Sequence, residues 1–175
     1  MDTQKLLYIV LAAGAIWMVY STVKDMIKKK PAQPLEPAVA TTSGERSTIL
    51  PLQLQAYERM ALYVDRIAPQ NLIGRIYQPG MSAVDMQMAL VHHIKAEYEH
   101  NVTQQIYVSS QAWDAVKTLK DQTITVINQV AIGLGPEAQA MDLNKHILEV
   151  FVEAGASPSE LVAQIINAEA KKIMK

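Results

Sequence analysis

The sequence of 175 residues contains no cysteine, which excludes disulfide bridges, thiolate metal sites and cysteine nucleophiles together. Aromatic residues make up only 6% of the chain, and phenylalanine occurs once. Neither sign of charge is in large excess, because 16 lysines and arginines face 17 acidic residues. A nucleic-acid-binding domain typically carries a strong basic excess, so we expect no nucleic acid among the partners.

Hydrophobic residues make up half of the chain, which places it among folded rather than disordered proteins. Its length predicts one domain of ordinary size plus an N-terminal segment of separate character. The net charge also differs between the two parts of the chain. Residues 1–47 hold six basic and four acidic side chains (+2), and residues 48–175 hold ten basic and thirteen acidic side chains (−3).

An uncharged apolar run at residues 6–23 predicts a transmembrane helix. At ~1.5 Å per residue its length is ~27 Å, close to the hydrocarbon thickness of a bilayer. A cleavable signal peptide fits less well, because Ala13-Gly14-Ala15 lies inside the run and Lys5 alone supplies a basic flank. A buried core helix is the remaining alternative. The residues typical of a membrane interface are Tyr8, Trp17, Tyr20, Lys24, Lys28, Lys29 and Lys30.

The lysines after the apolar run predict the orientation of the chain in the membrane. Four of them within residues 24–30 resist translocation, so the N-terminus is expected outside and the C-terminal domain in the cytoplasm. Three prolines in residues 31–47 predict a flexible tether. The predicted segments are a tail (1–5), a transmembrane helix (6–23), a basic juxtamembrane segment (24–30), a tether (31–47) and a helical domain (48–175).

Apolar residues recur at helical spacing throughout the domain, which predicts an all-α, small helical-bundle-like fold of about five helices. Residues 102–108 contain β-branched and aromatic residues, and a short extended segment there is an open alternative. Residues 123–127 are also β-branched, but with no convincing partner strand they are interpreted as helix. One late helix carries the stripe Met141, Asn144 (or Leu143), Ile147 (or Leu148) and Phe151.

Capping signals predict where several helices begin. Ser82 with Asp85 forms a capping-box pattern, and Ser109 or Ser110 caps a later helix. Pro136 is interpreted as the start of another helix. Ser157-Pro158-Ser159-Glu160 combines a capping box with proline at the first helical position, which predicts the final helix.

Three stretches of the domain resemble a known protein family. They are Leu52-Gln-Leu-Gln-Ala-Tyr-Glu-Arg59, Arg66-Ile-Ala-Pro-Gln-Asn-Leu72, and Glu97-Tyr-Glu-His-Asn-Val-Thr-Gln-Gln-Ile-Tyr-Val-Ser109 together with Trp113. They are similar to an uncharacterised Bacteroidota family of N-terminally membrane-anchored proteins, a domain of unknown function. The resemblance implies a bacterial inner-membrane location and no particular activity.

One constellation has the residue types of a metal site. On a helix, His93, Glu97 and His100 lie along one face, and Glu97 with His100 forms a Glu-x-x-His motif. A di-iron bundle needs a second such motif and two further glutamates, and the sequence offers only Asp142 and His146 as conceivable partners. The simpler interpretation is a solvated helix face with local charge pairing, so no metal and no cofactor is predicted.

Other chemical patterns are weak. Ser109 and Ser110 have no histidine–acid pair nearby in sequence, and Gly133 and Gly135 lack the spacing of a phosphate-binding loop. Three arginines, Arg59, Arg66 and Arg75, are predicted to line one surface that binds an acidic partner, although neighbouring acidic residues dilute their field.

Anchor, tether and helical domain together favour a membrane-tethered protein-interaction or scaffold module at the cytoplasmic face of a bacterial inner membrane. The expected partners are the membrane and other proteins, with a homo-oligomer as an open alternative. The first competing hypothesis is a subunit of a larger envelope assembly, such as a secretion or motility machine. The second is a metal-dependent helical-bundle enzyme that uses Glu97 and His100; no enzyme activity is otherwise predicted.

Overall fold

The structure is a computed structural model that describes residues 43–153 and 157–175. In that part of the chain it consists of six α-helices, one 3-10 helix and no strand. The all-α fold class predicted from the sequence is confirmed. The elements are α1 (Ser43–Ile67), α2 (Pro69–Ile76), α3 (Ala83–Asn101), the 3-10 helix (Val102–Ile106), α4 (Ser110–Ile132), α5 (Ala140–Glu153) and α6 (Pro158–Ile173).

Local capping signals fix the starts of three helices, as predicted. The Ser82 hydroxyl accepts from the Asp85 backbone N–H at 3.1 Å, and the Asp85 carboxylate accepts from the Ser82 hydroxyl at 2.7 Å. Ser109 caps α4 by accepting from the backbone N–H of Ala112. Ser157 caps α6 in the same way. Each cap satisfies an N–H group that the first helical turn would otherwise leave without a partner.

The prediction that Pro136 starts a helix is wrong, because α5 begins at Ala140. The residues before α3 and α5 instead pair as one antiparallel bridge between Ser82 and Gln139. In that bridge Ala83 N–H donates to the Ala138 carbonyl at 2.9 Å. This contact joins segments that are distant in the sequence, and it places the starts of α3 and α5 side by side. Residues 136–137 form a turn before the bridge, so the helix starts only after residue 139.

Two other boundaries also differ from the predictions. The extended segment considered for residues 102–108 is a 3-10 helix over Val102–Ile106, because a lone β-branched segment has no partner strand to complete its backbone hydrogen bonds. Residues 123–127 lie within α4 and are helical, as predicted. The first helix begins at Ser43, inside the predicted tether 31–47, since no proline interrupts the chain between Pro37 and Pro51.

The core joins all six α-helices. Helix α1 packs mainly against α6, α6 also contacts α4, and α3 lies against α4 and α5. On α3 the predicted stripe of Met86, Leu90 and Ile94 is fully buried. On α5 the prediction is wrong at Met141, which is 63% exposed, whereas Leu143 and Ile147 are buried and Phe151 is half-buried. Met141 is therefore on the outer face of its helix.

The predicted transmembrane helix 6–23, the basic segment 24–30 and the tether up to residue 42 lie outside the described residues. Tyr8, Trp17, Tyr20, Lys24, Lys28, Lys29 and Lys30 lie there too. Within residues 43–153 and 157–175, none of the helices is both long enough and apolar enough to span a bilayer.

Candidate functional site: the outer face of α5

The first candidate to test is the face of α3 that carries His93, Glu97 and His100. The Glu97 carboxylate accepts from Arg66 Nε at 2.7 and 2.9 Å and from Arg75 Nη1 at 3.1 Å. His93 and His100 are exposed on the same helix. In the part of the chain that the structure describes, no group of three His, Cys, Asp or Glu side chains is arranged to hold a metal ion. This geometry favours a structural role for Glu97.

The arginines predicted to bind an acidic partner instead bind groups of their own chain. Arg66 and Arg75 share Glu97, and Arg75 also donates to the Arg66 backbone carbonyl at 2.8 Å. Arg59 Nε donates to Asn101 Oδ1 at 3.1 Å, and Asn101 Nδ2 donates to the Glu97 carbonyl at 2.7 Å. This arginine–glutamate network connects α1 and α2 to α3. Its arginines do lie along one surface, as predicted.

A row of aromatic side chains connects α1, α3 and α4. The rings of Tyr98 and Trp113 stack with centroids 5.3 Å apart, and Lys120 Nζ lies 4.4 Å from the centre of the Tyr98 ring. Tyr63 is buried and donates to the Ile94 carbonyl at 3.3 Å. Burial, followed by the neighbouring Tyr98 and Glu97, raises the pKa of Tyr63. Burial also raises the pKa of Tyr98, and the Lys120 charge opposes that change. Both phenols are therefore neutral at pH 7.

The serines considered as nucleophiles have structural roles or lie at the surface. Ser109 caps α4, and its backbone N–H donates to the Tyr57 hydroxyl at 2.9 Å. Ser110 is the exposed first residue of α4. The other conceivable metal partner, His146, places Nδ1 2.7 Å from the Asp142 backbone carbonyl. Ser109 and His146 therefore have partners within their own chain.

The surface that the sequence analysis missed is the outer face of α5. We call the α5 face the set Met141, Lys145, Leu148, Glu149 and Val152, which line one shallow apolar depression together with Asn144. Met141 and Val152 are 63% and 71% exposed. Leu148 is half-buried between them. Large apolar side chains at i, i+7 and i+11 that face solvent are typical of a contact surface rather than of scattered surface residues.

The α5 face continues into a groove of about 540 Å³. Leu148 and Val152 line both, and Phe151 lines the groove from α5. The opposite wall consists of residues from the end of α1, the start of α2 and the start of α6, including Ala61, Ala68 and Ala163. Small alanine side chains leave this space open.

A polar group lies beneath the α5 face. Asn144 is 8% exposed, and its Oδ1 is one of three buried side-chain oxygens in the described residues that have no hydrogen-bond partner. Burying an acceptor without a donor costs about 1 to 3 kcal/mol. The sequence contained one signal for this surface. The stripe predicted for this helix had alternatives at two positions, Asn144 or Leu143 and Ile147 or Leu148. Helix α5 therefore has more apolar positions than one buried face needs.

Comparison of the chain with known proteins found no match among curated proteins and none among solved structures. One family model matches residues 2–173, which is nearly the whole sequence. The chain therefore belongs to the family described as "Family of unknown function (DUF7935)".

Proposed function

We propose that the protein is a membrane-tethered protein-interaction or scaffold module, held at the cytoplasmic face of a bacterial inner membrane by residues 6–23. The apolar run and the four lysines after it support the anchor and its orientation. The resemblance to anchored Bacteroidota proteins supports the same location. The predicted tether, residues 31–47, connects this anchor to the domain, and α1 begins at Ser43 within it.

The observation that carries the interaction role is the α5 face with the groove beside it. A monomeric domain usually turns its large apolar side chains inward, and here Met141 and Val152 project from a helix whose opposite side already supplies the core. Two charged residues, the basic Lys145 and the acidic Glu149, lie beside these exposed apolar side chains. An apolar centre with charged neighbours is the usual composition of a protein contact surface.

The test is site-specific photo-crosslinking in the full-length protein within its own membrane. A photoreactive residue at Val152 is expected to give discrete protein adducts in the membrane fraction. The same residue at Met88, an apolar position of α3 that is 66% exposed, is the matched control and is expected to give none. Equal adduct patterns from both positions, or a protein absent from the membrane fraction, would contradict the proposal.

The same experiment separates the proposal from the larger-assembly alternative. If the chain is a subunit of an envelope machine, detergent extraction after crosslinking should recover it in a fixed ratio to a constant set of other proteins. A tethered module should be recovered mostly free, with adducts in a minor fraction. The geometry disfavours the metal-enzyme hypothesis, because Glu97 is bound by two arginines.

A further inference from the structure

The charges on the α5 face make it complementary to a second copy of itself. Lys145 and Glu149 lie one turn apart on either side of residue 147, near the middle of α5. If two α5 helices cross antiparallel about a two-fold axis near this point, each Lys145 faces Glu149 of the other copy. Met141 then faces Val152, and the two Leu148 side chains meet at the axis.

We propose that two copies of this chain associate through the α5 face in this antiparallel arrangement. The inference rests on the proposed function, and it names the partner of that surface. A parallel pairing of the same helices is disfavoured, because it would place Lys145 beside Lys145 and Glu149 beside Glu149. Within one copy Lys145 Nζ is 3.9 Å from Glu149 Oε1, at the outer limit of an ion pair, so both charges are available to a partner.

A two-fold axis is also the arrangement expected for two identical surfaces. Two tethered copies start from the same bilayer, so the two-fold axis that relates them is perpendicular to the membrane. Two α5 helices that pack across this axis run antiparallel to each other. The α5 face is small compared with the ~800 Å² per partner of a standard stable interface, so the association is weak in solution. Confinement to one membrane raises the effective concentration and compensates for this.

Asn144 lines the same depression as Leu148, but its Oδ1 is closed to solvent, so it offers no acceptor to a second copy. The pairing therefore rests on the exposed charges of Lys145 and Glu149 and on the apolar side chains beside them.

The test uses the absence of cysteine from the chain. Single-cysteine variants of the full-length protein are treated in native membranes with a short bis-maleimide crosslinker. Leu148→Cys is expected to give a crosslinked dimer, whereas Met88→Cys, the exposed control on α3, is expected to give only the background of random collisions. The Met141→Cys and Val152→Cys variants are also expressed together. The crosslinked dimer that contains one chain of each variant is expected to be more abundant than the dimer that either variant forms when expressed alone.

Charge reversal tests the self-complementarity directly. In the Leu148→Cys background, Lys145→Glu and Glu149→Lys are each expected to reduce the dimer several-fold, and the double reversal is expected to restore it. Circular dichroism identical to that of the parent excludes unfolding as the cause. Equal crosslinking at positions 148 and 88, preferential dimers of Met141→Cys with itself, or a double reversal that fails to restore the dimer would overturn the inference. If one of these results is found and a photoreactive residue at Val152 nevertheless gives adducts with a different protein, the second-copy inference fails but the proposed interaction module stands.

Discussion

Arg66 Nε lies 2.7 Å from Glu97 Oε2 and 2.9 Å from Glu97 Oε1, so that one guanidinium N–H is shared by both oxygens of the carboxylate. Arg75 approaches the same carboxylate from α2 at 3.1 Å. A side chain that looks like part of a solvated helix face is thus the common partner of two arginines from neighbouring helices. Its removal should therefore affect the docking of α1 and α2 on α3.

Replacing Glu97 with glutamine should destabilise the domain measurably. Glu97→Gln keeps the shape but removes the charge that two arginines neutralise, and we expect a loss of about 1 to 2 kcal/mol in the free energy of unfolding. His100→Gln, at an exposed position of the same Glu-x-x-His motif, should change it by less than about 0.5 kcal/mol. Urea unfolding measures both. Equal effects, or a chelator that mimics Glu97→Gln, would favour the metal hypothesis instead.

The domain should lose stability at alkaline pH through Tyr63. The pKa of this phenol is raised above its ordinary value of 10.0 in the folded state, mainly by burial. Since the folded state holds the proton more tightly than the unfolded state, the stabilisation is complete below pH 10 and declines as the pH rises above that value. Tyr63→Phe removes this contribution to the decline and costs about 1 kcal/mol at pH 7, because the bond to the Ile94 carbonyl is lost. Urea unfolding between pH 7 and 11 measures it, and an unchanged pH profile in the variant would contradict the assignment.

Two adjacent serines should differ in their effect on stability. Ser109→Ala removes the side-chain oxygen that caps α4 and should cost about 1 kcal/mol. Ser110→Ala is the matched control: the residue is exposed in the first turn, and alanine is a better helix former, so stability should stay within about 0.5 kcal/mol. Thermal unfolding of both variants measures this difference in stability. Equal losses would mean that the cap is not formed as described.

Residues 43–175 expressed alone should be soluble and show helical circular dichroism. The buried stripes of all six helices contact one another within this part of the chain, so the fragment needs no anchor to form its core. Any self-association should be weak, because the α5 face is small. Circular dichroism and sedimentation measure these properties. Aggregation of the fragment would instead indicate an obligate partner.

The orientation of the full-length chain can be measured with reporters. A reporter that is active only in the cytoplasm should work when fused after Lys175, because four lysines follow the apolar run. A reporter active only outside the inner membrane should not work at that position. Replacing the four lysines with glutamine should shift part of the population to the opposite orientation. The reverse result for the unmodified chain would show that the domain is not cytoplasmic.

Signals within a few residues of each other were correctly interpreted from the sequence. Ser82 with Asp85 and Ser157 with Glu160 begin helices where the pattern predicts, because a cap is a contact between residues three apart. The segment at 123–127 was also correctly assigned to a helix. The start of α5 was missed because the Ser82–Gln139 bridge joins segments far apart in sequence, and no local pattern encodes that pairing.

Local patterns in the sequence predicted the helical fold class, most of the helices and the caps at Ser82, Ser109 and Ser157, because backbone hydrogen bonds and capping contacts are local. For α5, by contrast, helix packing determines which of the apolar positions are buried. Met141 and Leu143 are both apolar, yet the packing of α5 against α3 buries Leu143 and leaves Met141 exposed. Tertiary packing also decided that Glu97 meets Arg66 and Arg75, since those residues come together only when three helices pack. Helical periodicity defines a set of apolar positions, and which of them face inward depends on neighbours that are distant in the chain.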